Sequence, residues 1–179
     1  MRLVDANALR VRVAILFAYI ATIIVANWMT AYFGLVPIGF SLMVTAGTFA
    51  AGLALIARDW VQVAFGRRVV LVAIIVGAVV SALTSNTAIA LASGIAFLVS
   101  ELVDLGVFTP IRGRSLALAV LISSVVSAPV DTVLFLWLAG FGITWQAVAG
   151  QFIVKTTLAL VVAGWLTWRS PSAVSRDFA

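Results

Sequence analysis

The sequence contains no cysteine and no histidine in 179 residues, and only 9% of its residues are charged. The missing cysteines exclude disulfides and thiolate chemistry. The missing histidines remove the commonest metal ligand and the usual proton shuttle at neutral pH. A soluble domain carries roughly 25% charged residues. Because 64% of the residues are hydrophobic and the mean hydropathy is +1.24, we expect an integral membrane protein instead.

Long apolar runs without strand alternation predict an all-α membrane protein with a single domain over residues 1–179. A helix needs about 20 apolar residues to cross a bilayer. Six transmembrane helices are predicted, at about 13–33, 39–57, 69–83, 87–108, 115–139 and 146–168. The first apolar run is too long for a cleaved signal peptide, so we expect it to be retained.

Arginine is confined to alternate loops of this six-span prediction. The arginines are Arg2, Arg10, Arg12, Arg58, Arg67, Arg68, Arg112, Arg114, Arg169 and Arg176. Because all of them fall at one face, the positive-inside rule predicts that both termini lie in the cytoplasm. The net charge of +5 is therefore attributed to cytoplasmic loops rather than to nucleic-acid binding.

Four formal charges fall inside the predicted spans, namely Glu101, Asp104, Asp131 and Lys155. A charge in lipid costs about 2.5–3.5 kcal/mol on insertion scales, so such residues face the interior of a bundle and commonly have a function. Lys155 can pair with any one of the acids and lock two helices together. At least two carboxylates then need a proton, an arginine or a substrate as partner. Asp104 is expected within reach of Arg112 or Arg114.

Two of these acids occupy matching places in a repeated pattern. The stretches are VSELVDLGVF at 99–108 and VSAPVDTVLF at 126–135. The fourth helix is predicted to run inward and the fifth outward. The pattern is therefore consistent with the inverted repeats of many transporters, and equally with chance similarity between two Val-rich helices. Pro129, two residues before Asp131, predicts a kink that frees a backbone carbonyl beside this acid.

Residues 94–140 combine an acidic motif, a short basic loop and a serine motif. These are Ser100, Glu101, Asp104 and Phe108, then Arg112 and Arg114, then Ser123, Ser124 and Ser127 before Asp131. With these residues in this order, the chain resembles the vitamin uptake transporter (VUT) family of queuosine precursor transporters. Asn27, Asp59 and Lys155 also match family positions, whereas Pro129 is not expected at its place.

The resemblance implies a fold and a substrate class. The fold is a six-helix bundle similar to the substrate-binding subunits of energy-coupling-factor vitamin transporters. The substrate class is the 7-deazaguanines, such as preQ0 or preQ1. The candidate substrate-binding residues are Asn27, Phe97, Glu101, Asp104, Ser127, Asp131, Gln151 and Lys155.

A guanine-like edge presents two neighbouring donors, the ring N–H and the exocyclic amino group, and one carboxylate can accept both. Glu101 or Asp131 is expected to fill this role. An amide such as Asn27 or Gln151 can serve the carbonyl oxygen or the ring nitrogens. Asp104 is a candidate to bind an aminomethyl cation if the ligand carries one.

Aromatic residues are expected to stack on the flat base. The candidates are Phe97 with Phe108, or Trp28 with Trp137. In this interpretation the chain is a multi-pass protein of the bacterial inner (plasma) membrane. Its partners are the lipid bilayer and a small 7-deazapurine, and it needs no cofactor, metal or nucleic acid. The oligomeric state, with a homo-oligomer among the options, and the coupling ion stay open.

Three other interpretations compete with this one. The chain could be the substrate-binding subunit of a transporter that needs a partner ATPase, since its glycines and alanines could form docking grooves. It could be a structural membrane protein whose buried acids form an ion-pair network. A membrane enzyme is not expected, because the sequence has no histidine or cysteine, few acids and no nucleotide-binding motif.

Overall fold

The computed structural model describes residues 6–169, which fold as six helices and one two-stranded hairpin. In chain order the elements are α1 (Ala6–Phe33), β1 (Leu35–Gly39), β2 (Leu42–Thr45), α2 (Thr48–Phe65), α3 (Arg67–Thr84), α4 (Thr87–Ile111), α5 (Leu116–Leu138) and α6 (Trp145–Arg169). Each helix contains a stretch long and apolar enough to cross a membrane. The prediction of six membrane-spanning helices is confirmed, while the cytoplasmic location of both termini stays a prediction.

The predicted second span, at about 39–57, is wrong at both ends, because α2 runs from Thr48 to Phe65. Residues 35–45 instead form an antiparallel hairpin, in which Leu35 pairs with Thr45 and Val36 with Val44. The chain reverses at Phe40 and Ser41, whose φ angles of 51° and 59° lie in the left-handed region. Two consecutive positive φ angles suit a tight hairpin turn and interrupt a helix. Apolar composition alone could not separate this hairpin from a span.

The later start of α2 carries two charged residues into the bundle. Arg58 is 1% exposed and Asp59 is fully buried, both in the second half of α2. The prediction that Arg58 marks a cytoplasmic loop is therefore wrong. In contrast, Arg67 and Arg68 at the start of α3, and Arg112 after α4, are exposed as predicted.

Helices α3 to α6 begin and end close to their predicted positions, whereas α1 begins at Ala6, well before the predicted start at about residue 13. Asn86 caps α4 by accepting the Ile89 backbone N–H at 3.0 Å. Ser115 caps α5, accepting the N–H of Leu118 at 3.3 Å. Such side chains satisfy backbone donors that the first turn leaves free. Pro129 lies inside α5, which is assigned as one helix from Leu116 to Leu138, so the predicted kink does not break it.

An apolar core joins the first four helices. Its buried residues are Tyr19, Ile23, Ala54, Leu55, Val61, Val70, Ala73, Ile74 and Phe97. Further contacts connect α4 to α5, α5 to α6, and α6 to both α2 and β2. Because lipid tails are as apolar as leucine, this close packing and the buried polar contacts hold the bundle together. Those polar contacts form two separate groups.

Candidate functional site

A small cavity lies where α1, α2, α4, α5 and α6 meet the end of β2. Five of the predicted substrate-binding residues line it, namely Asn27, Phe97, Asp131, Gln151 and Lys155. Thr30, Thr45, Thr48 and Phe135 line it as well. Asn27 lies near the end of α1 and Gln151 near the start of α6, so the cavity is about 9 Å from these helix ends, at a rise of about 1.5 Å per residue.

The cavity contains a buried ion pair between α5 and α6. Lys155 Nζ donates to Asp131 Oδ2 at 2.7 Å and to Thr132 Oγ1 at 2.8 Å. Lys155 is 3% exposed and Asp131 is 4% exposed. One cation faces one anion, so this pair is balanced in charge. A ligand that competes for the Asp131 carboxylate would therefore meet an acceptor already held in place by a lysine.

Two amide side chains bring free hydrogen-bond donors to the same region. Asn27 is 2% exposed and Gln151 is 1% exposed. Among residues 6–169, neither Asn27 Nδ2 nor Gln151 Nε2 has a hydrogen-bond partner. A buried donor without an acceptor costs about 1–3 kcal/mol, so these amides favour a ligand or a water that supplies acceptors. Phe97 and Phe135 give the cavity two aromatic walls.

The β1–β2 hairpin covers one end of the cavity. Thr45, the last residue of β2, lines the cavity, and Gly150 of α6 packs directly against the Met43 backbone of the same strand. Gly47 fixes the following turn by donating its N–H to Thr30 Oγ1 at 3.1 Å. The enclosed volume is only about 20 Å³, which has room for about one water molecule. The cavity is therefore too small in this structure for a molecule the size of a nucleobase.

A second group of buried charges lies between α2 and α4, which we call the Arg58 cluster: Arg58, Asp59, Glu101 and Asp104. Arg58 Nη1 donates to Glu101 Oε2 at 2.8 Å, and Arg58 Nε donates to Asp59 Oδ1 at 3.0 Å. Arg58 Nη2 lies 2.6 Å from both Asp59 Oδ1 and Asp104 Oδ2. One planar guanidinium thus holds three carboxylates, in keeping with its several N–H donors.

The Arg58 cluster changes the expected role of three predicted site residues. Glu101 and Asp104 do not line the cavity described above, because they point to Arg58 instead. Ser127 of α5 donates to Asp104 Oδ1 at 3.3 Å and so belongs to the same group. Asp104 pairs with Arg58, not with Arg112 or Arg114 as expected from the sequence, because α2 is placed later in the chain than predicted.

Several residues at these two sites were missed from the sequence. Arg58 was assigned to a loop, and Thr45 of the hairpin was assigned to a helix. Tyr19 was not considered, although it is fully buried in α1. A signal for Arg58 was present, because an adjacent Arg–Asp pair directly follows the apolar run GLALIA. Two charges that satisfy each other can extend a membrane helix beyond the end of its apolar residues.

Comparison with known proteins shows which family the chain matches. The profile of the family described as "Putative vitamin uptake transporter" matches residues 79–168, from the second half of α3 to the last turn of α6. This range includes Glu101, Asp104, Asp131, Gln151 and Lys155. No curated protein and no solved structure matches the chain. On the family match and the six membrane-spanning helices, this chain is a multi-pass membrane protein that belongs to the family of vitamin uptake transporters.

Proposed function

We propose that the chain imports a queuosine precursor, a 7-deazaguanine such as preQ0 or preQ1, across the bacterial plasma membrane. The family supports uptake of a small molecule. The observation that carries the substrate class is the cavity: a carboxylate, a lysine and two amides with free donors converge between two aromatic walls. Few small molecules need all of these groups at once, and a flat, donor-rich and acceptor-rich base does.

Each group has a role in this proposal. The Asp131 carboxylate accepts the ring N–H and the exocyclic amino group, which lie side by side on the base. The free N–H groups of Asn27 and Gln151 donate to the carbonyl oxygen and a ring nitrogen. Phe97 and Phe135 stack on the ring faces. Glu101, the other carboxylate considered from the sequence, is engaged by Arg58 and is not assigned to the ligand.

The small size of the cavity also bears on how the ligand enters. Pockets for small molecules commonly enclose about 300–1,000 Å³, whereas this cavity encloses about 20 Å³. Binding must therefore expand it. The hairpin is the element that we propose to move, because it separates two membrane-spanning helices and its strands pair only with each other among the described residues. Displacement of Thr45 and Val44 from α6 would open the cavity at that end.

The proposal is tested by binding to the detergent-purified protein. Affinities for preQ0, preQ1, queuine and guanine are measured by calorimetry, with Asn27→Leu and Gln151→Leu as variants. Each variant removes one donor and is expected to raise Kd about tenfold or more. Gln146→Leu is the matched control, since Gln146 lies on the same helix but outside the cavity. If the Kd values of Asn27→Leu and Gln151→Leu equalled that of Gln146→Leu, the proposed site would be rejected. If none of these compounds bound, the proposed substrate class would be rejected.

The Asp131 carboxylate needs a variant that keeps the charge balanced. Asp131→Asn alone leaves Lys155 buried without its anion and can unfold the protein. The double variant Asp131→Asn with Lys155→Met removes both charges together. We expect it to fold, and to lose preference for guanine over hypoxanthine, which lacks the exocyclic amino group. Unchanged discrimination would remove Asp131 from the proposed site.

Reconstitution separates a self-sufficient transporter from a subunit that needs a partner ATPase. Purified protein in liposomes is expected to accumulate a radiolabelled 7-deazaguanine without any other protein. Tight binding with no uptake would favour the binding-subunit alternative instead.

A further inference from the structure

The Arg58 cluster holds more negative charge than positive charge. Three carboxylates, from Asp59, Glu101 and Asp104, contact one guanidinium, and every member is at most 1% exposed. Arg67, at the start of α3, is the next cation toward Glu101, but it is exposed to solvent and screened. Even if Arg67 is counted in full, the three carboxylates carry one more negative charge than Arg58 and Arg67 balance, and among residues 6–169 only Arg58 forms salt bridges with them.

Such a surplus is not stable in a membrane interior. A buried charge without a partner is so costly that the group takes up a proton and becomes neutral instead. Carboxylates that share one site cannot all ionise, because each raises the cost of ionising the next. Three buried oxygens of the cluster accept no hydrogen bond from the described part of the chain: Glu101 Oε1, Asp59 Oδ2 and Asp104 Oδ2. Because Asp104 Oδ2 lies 2.6 Å from Arg58 Nη2, Glu101 Oε1 and Asp59 Oδ2 are the oxygens that remain open to a proton.

A metal cation is a poorer occupant than a proton. The guanidinium already fills the centre of the Arg58 cluster, within 3.0 Å of two carboxylates and 2.6 Å of the third. Residues 6–169 contain no group of three acidic side chains arranged to hold a metal ion. A proton needs only one oxygen and no coordination shell.

Neighbours of the Arg58 cluster line an open vestibule at one face of the protein. A vestibule of about 670 Å³ is lined by Gln62, Arg67, Leu105 and Arg112, on the face that the arginines predict as cytoplasmic. Gln62 is one helical turn from Asp59, and Leu105 follows Asp104 in α4. Both are buried wall residues, at 5% and 8% exposure. Small movements of these two side chains would let water reach the carboxylates.

A fully buried tyrosine of α1 feels the charges of both sites. The Tyr19 hydroxyl interacts electrostatically with Arg58, Glu101 and Asp59 of the Arg58 cluster, and also with Asp131 of the cavity. It has no hydrogen-bond partner among the residues that the structure describes. A hydroxyl can both donate and accept, so this group can pass the effect of a proton between the two sites.

From these observations we propose that the Arg58 cluster is a proton site that couples uptake to the proton gradient. A proton from vestibule water binds a carboxylate oxygen of Glu101 or Asp59, and the same O–H bond breaks when the proton returns to water. Arg58 keeps the remaining carboxylates in place, and Ser127 hydrogen-bonds Asp104 from α5. The coupling part of this inference rests on the proposed transport function, whereas the proton site does not.

The test uses infrared spectroscopy and transport on the same purified protein. At pH 7 the wild-type spectrum is expected to contain a C=O stretching band of a protonated carboxyl group. Glu101→Gln and Asp59→Asn, singly and together, should reduce this band, and the double variant should abolish it. Asp131→Asn combined with Lys155→Met is the control, because Asp131 is neutralised by Lys155 and should not contribute. An absent wild-type band, or a band that survives in the double variant, overturns the proton site.

Transport then tests coupling. In liposomes, an acidic exterior should accelerate uptake of a 7-deazaguanine by the wild type, and Glu101→Gln should lose this acceleration while still binding the ligand. Acceleration that persists in Glu101→Gln and Asp59→Asn, or that follows a sodium gradient instead, overturns the coupling. If no 7-deazaguanine is bound or moved, the proposed function fails, and the infrared result still decides the proton site.

Discussion

The two buried charge groups differ in one respect that outweighs their similarity. Both join neighbouring helices, and both are almost fully shielded from solvent. The Asp131–Lys155 pair between α5 and α6 is balanced, one cation to one anion. The Arg58 cluster between α2 and α4 sets three carboxylates against one arginine. A balanced pair is stable without a ligand, whereas a cluster with surplus negative charge must bind a proton or another cation.

This difference suggests that the two charge groups have different functions, one in ligand binding and one in proton exchange. The balanced pair lies beside free amide donors in a small cavity, as expected of a site for a polar ligand. Neighbours of the Arg58 cluster line an open vestibule, as expected of a site that exchanges protons. Changes to single charges should therefore have opposite consequences at the two places.

The largest effect is expected from Arg58→Gln. Removing the only guanidinium in the cluster leaves three buried carboxylates facing one another, and breaking a buried ion pair costs about 3–5 kcal/mol. We expect a loss near the upper end of this range, about 5 kcal/mol, measured as the free energy of unfolding in mixed micelles. Arg58→Lys should recover little of it, because an ammonium cannot hold three carboxylates in one plane.

Neutralising an acid is the matched control for the same cluster. Glu101→Gln removes surplus charge and is expected to leave the free energy of unfolding unchanged or higher at pH 7. If Glu101→Gln destabilised the protein as much as Arg58→Gln, the Arg58 cluster would be balanced rather than in surplus, and the contrast with the Asp131–Lys155 pair would fail.

The second largest effect is expected from Lys155→Met. This change leaves Asp131 buried without its cation. We expect the free energy of unfolding to fall by about 3 kcal/mol, because one unpaired carboxylate is less costly than three. Asp131→Asn should also destabilise the protein, because it leaves Lys155 buried without its anion. The double variant with both changes should be close to the wild type. Thermal unfolding of all three variants measures this, and additive losses would show that the pair is not balanced.

The comparison also shows what the sequence could and could not predict. Long apolar runs were enough for the six helices, and the acids inside those runs were correctly placed in the interior. The location of Arg58 was not predictable from hydropathy, because a charge beside an apolar run looks the same at a loop and at a buried pair. The second span was misplaced because the hairpin residues are as apolar as the start of a membrane-spanning helix, and the turn at Phe40 and Ser41 was not recognised.

Pairing was harder to predict than burial. Asp131 and Lys155, and Glu101 and Arg58, are far apart in the sequence, and which acid meets which cation depends on helix packing. The residues Asn27, Gln151 and Asp131 were predicted together as ligand contacts, and they do line one cavity. Glu101 and Asp104 are acids like Asp131, but they lie one and two helical turns beyond Phe97 in α4 and pair with Arg58 of α2 instead of lining that cavity.

A third, smaller effect is expected where the hairpin meets α6. A Cβ atom at Gly150 would run into the Met43 backbone carbonyl and lie 3.2 Å from Val44 Cγ1. Gly150→Ala should therefore push the hairpin away from α6, at a cost of about 1–3 kcal/mol. The chain has no cysteine, so a Thr45→Cys label can report the change. Labelling should be faster in Gly150→Ala.

A matched glycine tests whether this effect is local. Gly106 lies inside α4, and a Cβ atom there would meet nothing within 4 Å among the described residues. Gly106→Ala should leave Thr45→Cys labelling unchanged and can stabilise α4 by about 0.5–1 kcal/mol, since alanine is the better helix former. Equal labelling in both glycine variants would mean that the hairpin does not control access to the cavity.

The smallest effect on stability, and the sharpest test of communication between the two regions, is expected from Tyr19→Phe. The hydroxyl lost has no hydrogen-bond partner in the described part of the chain, so its removal should change the free energy of unfolding by less than about 1 kcal/mol. Ligand affinity should also be preserved, because Tyr19 does not line the cavity. If the hydroxyl connects the Arg58 cluster to Asp131, uptake in liposomes should lose its dependence on the proton gradient while the infrared carboxyl band stays. Retained gradient dependence would mean that the two regions communicate through helix movement alone, and Tyr19 would then be a packing residue of the core.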